Sequence, residues 1–526
     1  MYKLRSSLIR VVNRVYFRRC SHFINKMPEI KNEVTQKVLT TRAEAPYGNL
    51  PLMTPEGEAP ISFFELSKIC PEDDGKQIYL RTRLQNCRAK ANNAFLELRQ
   101  SYHTIQGVLF KGGEVSKEMI KFVAGVPNES VIEILGELKS VSSPIKSCSV
   151  KNMELSIQKF YVVSRSSNVL PFQMEDANRP RTIDNKESDD VTDSSGATVG
   201  LSTRLNNRVL DMRTPANQAI FRIQSSVCRF FREFFYERDF VEIHTPKLLA
   251  GSSEGGSNVF NFDYFSRKGC LAQSPQLYKQ MMVMGDFNKV IEIGPVFRAE
   301  NANTHRHLCE FTGLDMEMEI NQSYMEVLDM ISGVFYSIFK RLRSEASKEL
   351  DIISQYYPFE EFLLPEKPVI LDFKTGIKML NDAGIDQKVD EDLSTPTEKA
   401  LGKLVREKYK TDFYILHQYP ESARPFYTMP LPGNPGYTCS YDVFIRGEEI
   451  ISGAQRIHDP ELLKIRALAK GMEPESIKDY ISSFSLGAKP HGGFGVGLER
   501  VVMLYCDLKN VRRTSAFPRD PQRLTP

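Results

Sequence analysis

"FRAENANTHRHLCEFTGLDMEME", residues 297–319, alternates at both ends and loses the alternation between them. Val296, Arg298 and Glu300 are spaced to share one face of a strand. Phe311, Gly313, Asp315, Glu317 and Glu319 share another such face, with Leu314, Met316 and Met318 turned the opposite way. The spacing predicts an antiparallel hairpin with an apolar back and a charged front. Its polar loop, 301–307, carries Arg306 and two histidines. A front that combines an aromatic ring, guanidinium groups and carboxylates suits a ligand bearing phosphate, a metal and an amine.

Upstream, "AIFRIQSSVCRFFREFF" (219–235) repeats apolar residues at Ile220, Ile223, Val227, Phe230 or Phe231, and Phe234. That is an amphipathic helix. "FVEIHTPKLL" (240–249) reads as a strand broken at Pro246. The remaining segments mix strands and helices without a βαβ rhythm, which predicts an antiparallel sheet flanked by helices. Further upstream, residues 175–200 are polar and acidic, a linker. Before it lie five β-rich pieces, 78–90, 94–100, 104–110, 130–141 and 152–164, with a helix-like "SKEMIKFVAGV" among them. Five short strands with one helix predict a small closed barrel of the oligonucleotide-binding kind, the SH3-type barrel being the alternative. The fold class is therefore α+β. The expected divisions are a leader and extension 1–76, a five-stranded OB-fold barrel 77–170, a hinge 171–205, and an antiparallel-sheet domain 206–526.

The bulk numbers set limits. The chain has 526 residues, 41% hydrophobic and 26% charged, which is ordinary for a globular protein of two or three domains. A net charge of +3 neither demands nor excludes a polyanionic partner. No apolar run is long enough for membrane insertion. Nine dispersed cysteines without C-x-x-C spacing fit reduced thiols and argue against structural zinc. Residues 1–28 hold seven Lys or Arg and no acid. That is the composition of a mitochondrial transit peptide, with a disordered basic leader as the alternative. Initiation at Met1 or Met27 would then give an organellar and a cytoplasmic form.

Ordered signatures carry a resemblance over residues 78–526. They are "HTPKLL" with Pro246, "FRAE" with its hairpin, and "GVGLERVVM" (495–503), together with "SEGGS", "AQSPQLYKQ" and "ISGAQR". In this order the chain resembles the eukaryotic cytosolic-type aspartyl-tRNA synthetases, class II enzymes. The glycines at 495 and 497 lack the third glycine of a dinucleotide loop and run into Glu499-Arg500, so that reading is poor.

The resemblance implies an ATP-dependent ligase that makes an aspartyl-adenylate and charges tRNA(Asp), with Mg²⁺. Arg298 would bridge carboxylate and phosphate, work that its planar fork suits. Arg500 would lie at the far end of ATP and cover the adenine that stacks on Phe311. Glu300 would read the adenine amino group. Arg306, His307 and Leu308 would line the ATP site, as would Gly497, Leu498 and Glu499. Asp442 and Glu449, seven residues apart around one strand, would hold magnesium, with Ser452 beside them; oxygen donors with open positions are how that ion is usually bound. Lys279 and Arg456 would read the aspartate side chain, with Gln276 and Ser452 in matching positions. Glu254, Asp315 and Glu317 would receive the ammonium or order the basic groups. "SSEGGS" reads as a lid. On the barrel, Phe95, Gln106 and Glu154 would contact anticodon bases, with Lys90 and Arg99 as phosphate contacts. The family also implies a homodimer, with the 220–235 helix and the Pro246 region at its interface. Membership in a multi-synthetase complex stays open. So do an asparaginyl-type enzyme and a non-catalytic RNA-binding derivative.

Overall fold

The computed structural model describes residues 45–50, 61–180, 198–251, 259–472 and 474–526. The 1–28 leader, most of the expected linker, and Glu254 with its glycine pair lie outside them. The chain divides into two compact units, Met1–Met174 and Glu175–Pro526.

The first unit is a closed barrel. Its strands are β1 Tyr47–Asn49, β2 Gln77–Lys90, β3 Asn93–Gln100, β4 His103–Phe110, β5 Val131–Ser140 and β6 Met153–Ser164. They lie in the order β1-β6-β4-β3-β2-β5, and β5 closes on β6. Alternate residues point inward, so Leu80, Leu84, Leu96, Leu98, Ile105, Leu109, Ile134 and Phe160 form one interior core. Helix α1, Lys117–Ala124, begins where the Ser116 hydroxyl accepts the Met119 N–H at 3.1 Å. It buries Met119, Ile120 and Val123 in that core. The five strands read from sequence are all present. The three-residue β1, which pairs in parallel with β6, carries no sequence signal.

The second unit is built on an eight-stranded sheet. In chain order its strands are β7 Val241–Glu242, β11 Lys289–Phe297, β12 Glu310–Glu319, β13 Val369–Asp372, β14 Phe413–His417, β15 Ser440–Ile445, β16 Glu448–Gln455 and β17 His491–Gly497. Between β7 and β11 a small separate sheet is formed by β8 Leu248–Leu249, β9 Asn261–Tyr264 and β10 Arg267–Leu271. The large sheet runs β13-β14-β15-β16-β17-β12-β11-β7. Its six central strands are antiparallel; only the edge pairs β13–β14 and β7–β11 are parallel.

One face of this sheet packs on helices. Helix α2, Pro215–Tyr236, is capped by Thr214 and buries Ile220, Ile223, Val227, Phe230, Phe231, Phe234 and Phe235. These side chains share a core with Leu314, Met316 and Met318 of β12, Phe494 and Val496 of β17, and helices α4 (Met325–Glu345) and α6 (Leu498–Tyr505). The aromatic stripe of α2 thus belongs to the chain's own core and is not free for a second subunit. The residues α2 turns to solvent include Arg222, Ser225 and Arg229, which are polar.

Strand β11 ends at Phe297, so Arg298 and Glu300 lie beyond it in the loop and do not extend the strand face. Asp442 and Glu449 stand on two adjacent strands, β15 and β16, not on one. The turn between them places Arg446 and Gly447 at φ 49° and 75°, the two positive angles that a tight two-residue hairpin demands.

Candidate active site

The other face of the sheet floors a cavity of about 310 Å³. Glycines make room for it. On β17, Gly493 and Gly495 lie directly opposite Glu317 and Asp315 of β12. A Cβ on Gly493 would come within 2.5 Å of Glu317 Oε2, and one on Gly495 within 2.7 Å of Asp315 Oδ1. The two carboxylates therefore occupy space that side chains on the neighbouring strand would fill.

Helix α3, Gln276–Met284, turns Gln276, Lys279 and Gln280 to one side, the i, i+3, i+4 face. Lys279 is 1% exposed. Its Nζ donates to Asp315 Oδ1 at 3.0 Å and to the Phe494 carbonyl at 2.9 Å, and lies 3.5 Å from Glu317 Oε2. Arg456 reaches the same Glu317: Nε donates to Oε1 at 2.8 Å and Nη2 to Oε2 at 3.2 Å. Nη2 also donates to Gln276 Oε1 at 3.3 Å. Burial works to raise Glu317, but Arg456 and then Lys279 outweigh it and hold its carboxyl below the usual range. Burial raises Asp315, against the pull of Lys279. Behind them, the Gln276 amide donates to Gln280 Oε1 at 3.0 Å, and Gln280 Nε2 lies 2.9 Å from His491 Nε2. Burial pushes His491 down to about 4. The imidazole is thus neutral; Nδ1–H donates to the Lys489 carbonyl, 2.7 Å away, and Nε2 accepts from the glutamine. Gln276, Asp315 and Arg456 line the cavity, and Lys279 sits just beneath them.

The other end of the cavity is lined by Arg298, Glu300, Arg306, His307, Leu308, Phe311, Gly497, Glu499 and Arg500. The Arg298 guanidinium carbon lies 5.7 Å from the Phe311 ring centre. Arg500 donates to the Glu449 and Arg306 carbonyls, each at 3.1 Å. Arg306 is held to the wall, where helix α5 (Thr395–Tyr409) offers Glu398 Oε2 at 3.0 Å and Thr395 Oγ1 at 2.7 Å. Burial, with Arg500 second, lowers His307. Burial pushes Glu499 up to about 7, although its carboxylate accepts the Thr312 N–H. Leu498 does not line the cavity; its side chain is buried in the core behind it.

The third group sits on β15 and β16. Asp442 pairs across the strands with Ser452, and a register shift between Val443 and Phe444 brings Glu449 opposite Phe444. The extra residue, Ile450, turns Glu449 onto the face that Asp442 and Ser452 share; in an unbroken ladder it would point away. Burial, then the Asp442 charge, pushes Glu449 up to about 8, against the pull of Arg500. Arg424, which sequence reading missed, grips Asp442 with both nitrogens at 2.7 and 2.6 Å and donates to Ser452 Oγ at 2.6 Å. It sits 18 and 28 residues from these partners in a stretch without pattern.

Among the described residues no group of three or more His, Cys, Asp or Glu is arranged to hold a metal. Two carboxylates and a hydroxyl nonetheless suit a hard divalent ion that takes its other oxygens from a phosphate ligand and water. A carboxyl held protonated by burial is one that an arriving cation would ionise.

A family model described as tRNA synthetases class II (D, K and N) matches residues 200–521. Over 461 residues the chain is 50% identical to the cytoplasmic aspartate–tRNA ligase of Bos taurus, covering 88% of this chain and 91% of that protein. The chain belongs to the aspartate–tRNA ligases of class II. The synthetase superposes on the aspartyl-tRNA synthetase of Entamoeba histolytica with a TM-score of 0.84 at 42% identity, covering 93% of this chain and 98% of that one. Against the asparaginyl-tRNA synthetase of Pyrococcus horikoshii complexed with asparaginyl-adenylate the TM-score is 0.75 at 25% identity, over 89% of this chain and 100% of that one.

The synthetase's barrel brings its predicted residues onto one outer face. Gln106 pairs with Glu97 on one side and with Glu154 on the other. Gln106 Nε2 donates to Glu154 Oε2 at 2.8 Å. Phe95, two residues from Glu97, is 40% exposed, so it is a surface ring and not a core aromatic. Lys90 is exposed. Arg99 is not a surface cation: it is buried and donates to both Glu129 oxygens at 2.6 Å.

Proposed function

We propose that the synthetase activates L-aspartate with ATP and transfers the aspartyl group to tRNA(Asp), releasing diphosphate and then AMP. The observation that carries the amino acid assignment is the convergence of Lys279 and Arg456 on one buried carboxylate at the cavity floor. Both cations are oriented before substrate arrives. Lys279 has its donors on Asp315 and backbone carbonyls. The substrate's side-chain carboxylate would take the place of Asp315 on Lys279, and Asp315 would turn to the substrate ammonium. Asparagine's neutral amide cannot make that exchange of charge. A charged hydrogen bond contributes ~1.5–3 kcal/mol, and a buried cation left without an anion adds to the discrimination.

The reactive carboxylate and the α-phosphate of ATP would meet at Arg298, whose fork can bridge them as charge builds on the phosphoryl oxygens. Adenine would stack on Phe311 beneath Arg500, with Glu300 at its amino group. Asp442, Glu449 and Ser452 would hold magnesium, which when bound neutralises phosphate charge. Arg306 would leave Glu398 for the phosphates. The 3′-terminal hydroxyl of tRNA then attacks the activated acyl carbon, and AMP leaves. Phe95, Gln106 and Glu154 would read anticodon bases. A homodimer would need surfaces other than the aromatic face of α2. The Bos taurus relative is cytoplasmic, and we place this synthetase in the cytoplasm; that relative lends an organellar form no support.

ATP–pyrophosphate exchange with aspartate against asparagine tests the reading. Exchange with aspartate alone, followed by charging of tRNA(Asp), is the expected result. Exchange with asparagine alone would make it an asparaginyl enzyme, and none with either would favour a non-catalytic RNA-binding protein. Lys279→Ala should raise the aspartate KM far more than the ATP KM; an unchanged aspartate KM would remove Lys279 from the site.

A further inference from the structure

The barrel's outer face carries a second exposed aromatic ring. Phe110, the last residue of β4, is 55% exposed, more than Phe95. Pairing puts the two on one surface. Phe95 lies opposite Val108 and Asn93 opposite Phe110, so Phe95 and Phe110 share the face of Gln106. Their ring centres are 6.0 Å apart at 89°. Val108 is only 3% exposed yet is not part of the barrel's interior core. It lies on the outside, next to the two rings. On β2, Arg88 and Lys90, both exposed, lie opposite Phe95 and Asn93. The face therefore holds a polar row, Glu97–Gln106–Glu154, and beside it an aromatic row flanked by two cations.

Water gains nothing from two adjacent phenyl rings, and a single-stranded RNA gains from both. Bases stack on exposed rings while cations follow the phosphates. Rings set perpendicular present their faces in different directions, so one base cannot stack fully on both. We propose that Phe110 is a second base-stacking residue, taking an unpaired RNA base next to the one on Phe95 and on the side away from the Gln106–Glu154 pair. This rests on the reading of the barrel as the tRNA-binding unit. Direct hydrogen-bond reading stays with the polar row; Phe110 adds affinity with little base preference, because every base has a stacking face.

The experiment measures binding of unmodified tRNA(Asp) to the full-length chain and to Phe110→Ala, Phe110→Trp, Phe95→Ala and Gln106→Ala variants. Phe110→Ala should weaken binding roughly 5- to 150-fold, as loss of one aromatic–base stack does. Phe110→Trp should bind like the parent, and aspartate-dependent pyrophosphate exchange should be unchanged in both. A 2-aminopurine placed through the anticodon loop should be quenched at one position by the parent and by Phe95→Ala but not by Phe110→Ala. If Phe95→Ala or Gln106→Ala weakens binding and Phe110→Ala does not, Phe110 is a bare surface ring and the proposal fails alone. If none of the three weakens binding, the tRNA reading of this face fails with it.

Discussion

The cavity floor and the barrel's outer face treat polar recognition in opposite ways. At the floor, Lys279, Arg456 and Glu317 are all under 4% exposed and locked to one another. On the barrel, Phe95 and Phe110 stand 40% and 55% in solvent, beside a half-buried glutamine–glutamate pair. The first arrangement strengthens every charge by removing water and fixes donors before the ligand comes, at a cost in desolvation. The second costs the fold almost nothing and relies on the area a ring covers. Telling a carboxylate from an amide calls for the first. Holding a flexible run of bases is served by the second.

If that contrast is right, mutations in the two places should differ in what they damage. Arg456→Ala leaves Glu317 buried beside one cation, and breaking such a pair should cost ~3–5 kcal/mol of folding stability, measured by urea denaturation. A loss below ~1 kcal/mol would put the floor on the same footing as the barrel surface. His491 gives a pH test. Its folded value near 4 lies below its ordinary 6.5, so between those values the unfolded chain binds more protons. That stability is fully present above pH 6.5 and is lost as pH falls to 4, ~3 kcal/mol in all. His491→Asn should flatten the stability curve across this window; a variant whose curve runs parallel to the parent's would mean that the ring titrates in the fold as it does in the unfolded chain. On the barrel, Phe95→Ala should cost ~1–3 kcal/mol in tRNA binding and leave pyrophosphate exchange alone. Smallest of all, Lys139→Ala removes an exposed pair with Glu137, 3.5 Å apart, and should change stability by ~0–1 kcal/mol.

The same contrast governs what the sequence reveals. Period-two alternation over eight to fourteen residues made β2, β3, β4, β5 and β6 legible, because each strand has one dry face. The repeat on α2 was legible for the same reason, but periodicity does not say what buries a stripe, and here it is the chain's own sheet. Three-residue β1 is too short to carry a period. Arg298 and Glu300 continue the alternation of β11 past the point where the ladder stops. Arg99 has the parity of an outer-face residue, yet it is buried and paired with Glu129, 30 residues away. In the cavity, motif residues could be picked out, whereas Arg424 and Gln280 join the network through contacts that no local pattern encodes. The bulge at Ile450 is likewise silent in the sequence, although it decides which way Glu449 points.

The hydrogens of Gly493 and Gly495 have a consequence for anyone transplanting this amino acid preference onto a related scaffold. Copying the lysine, the arginine and their carboxylates would not suffice if the recipient strand carried even alanine at those two places. The added methyls would evict the acids from their seats, and the graft would fail although every charged group had been faithfully moved.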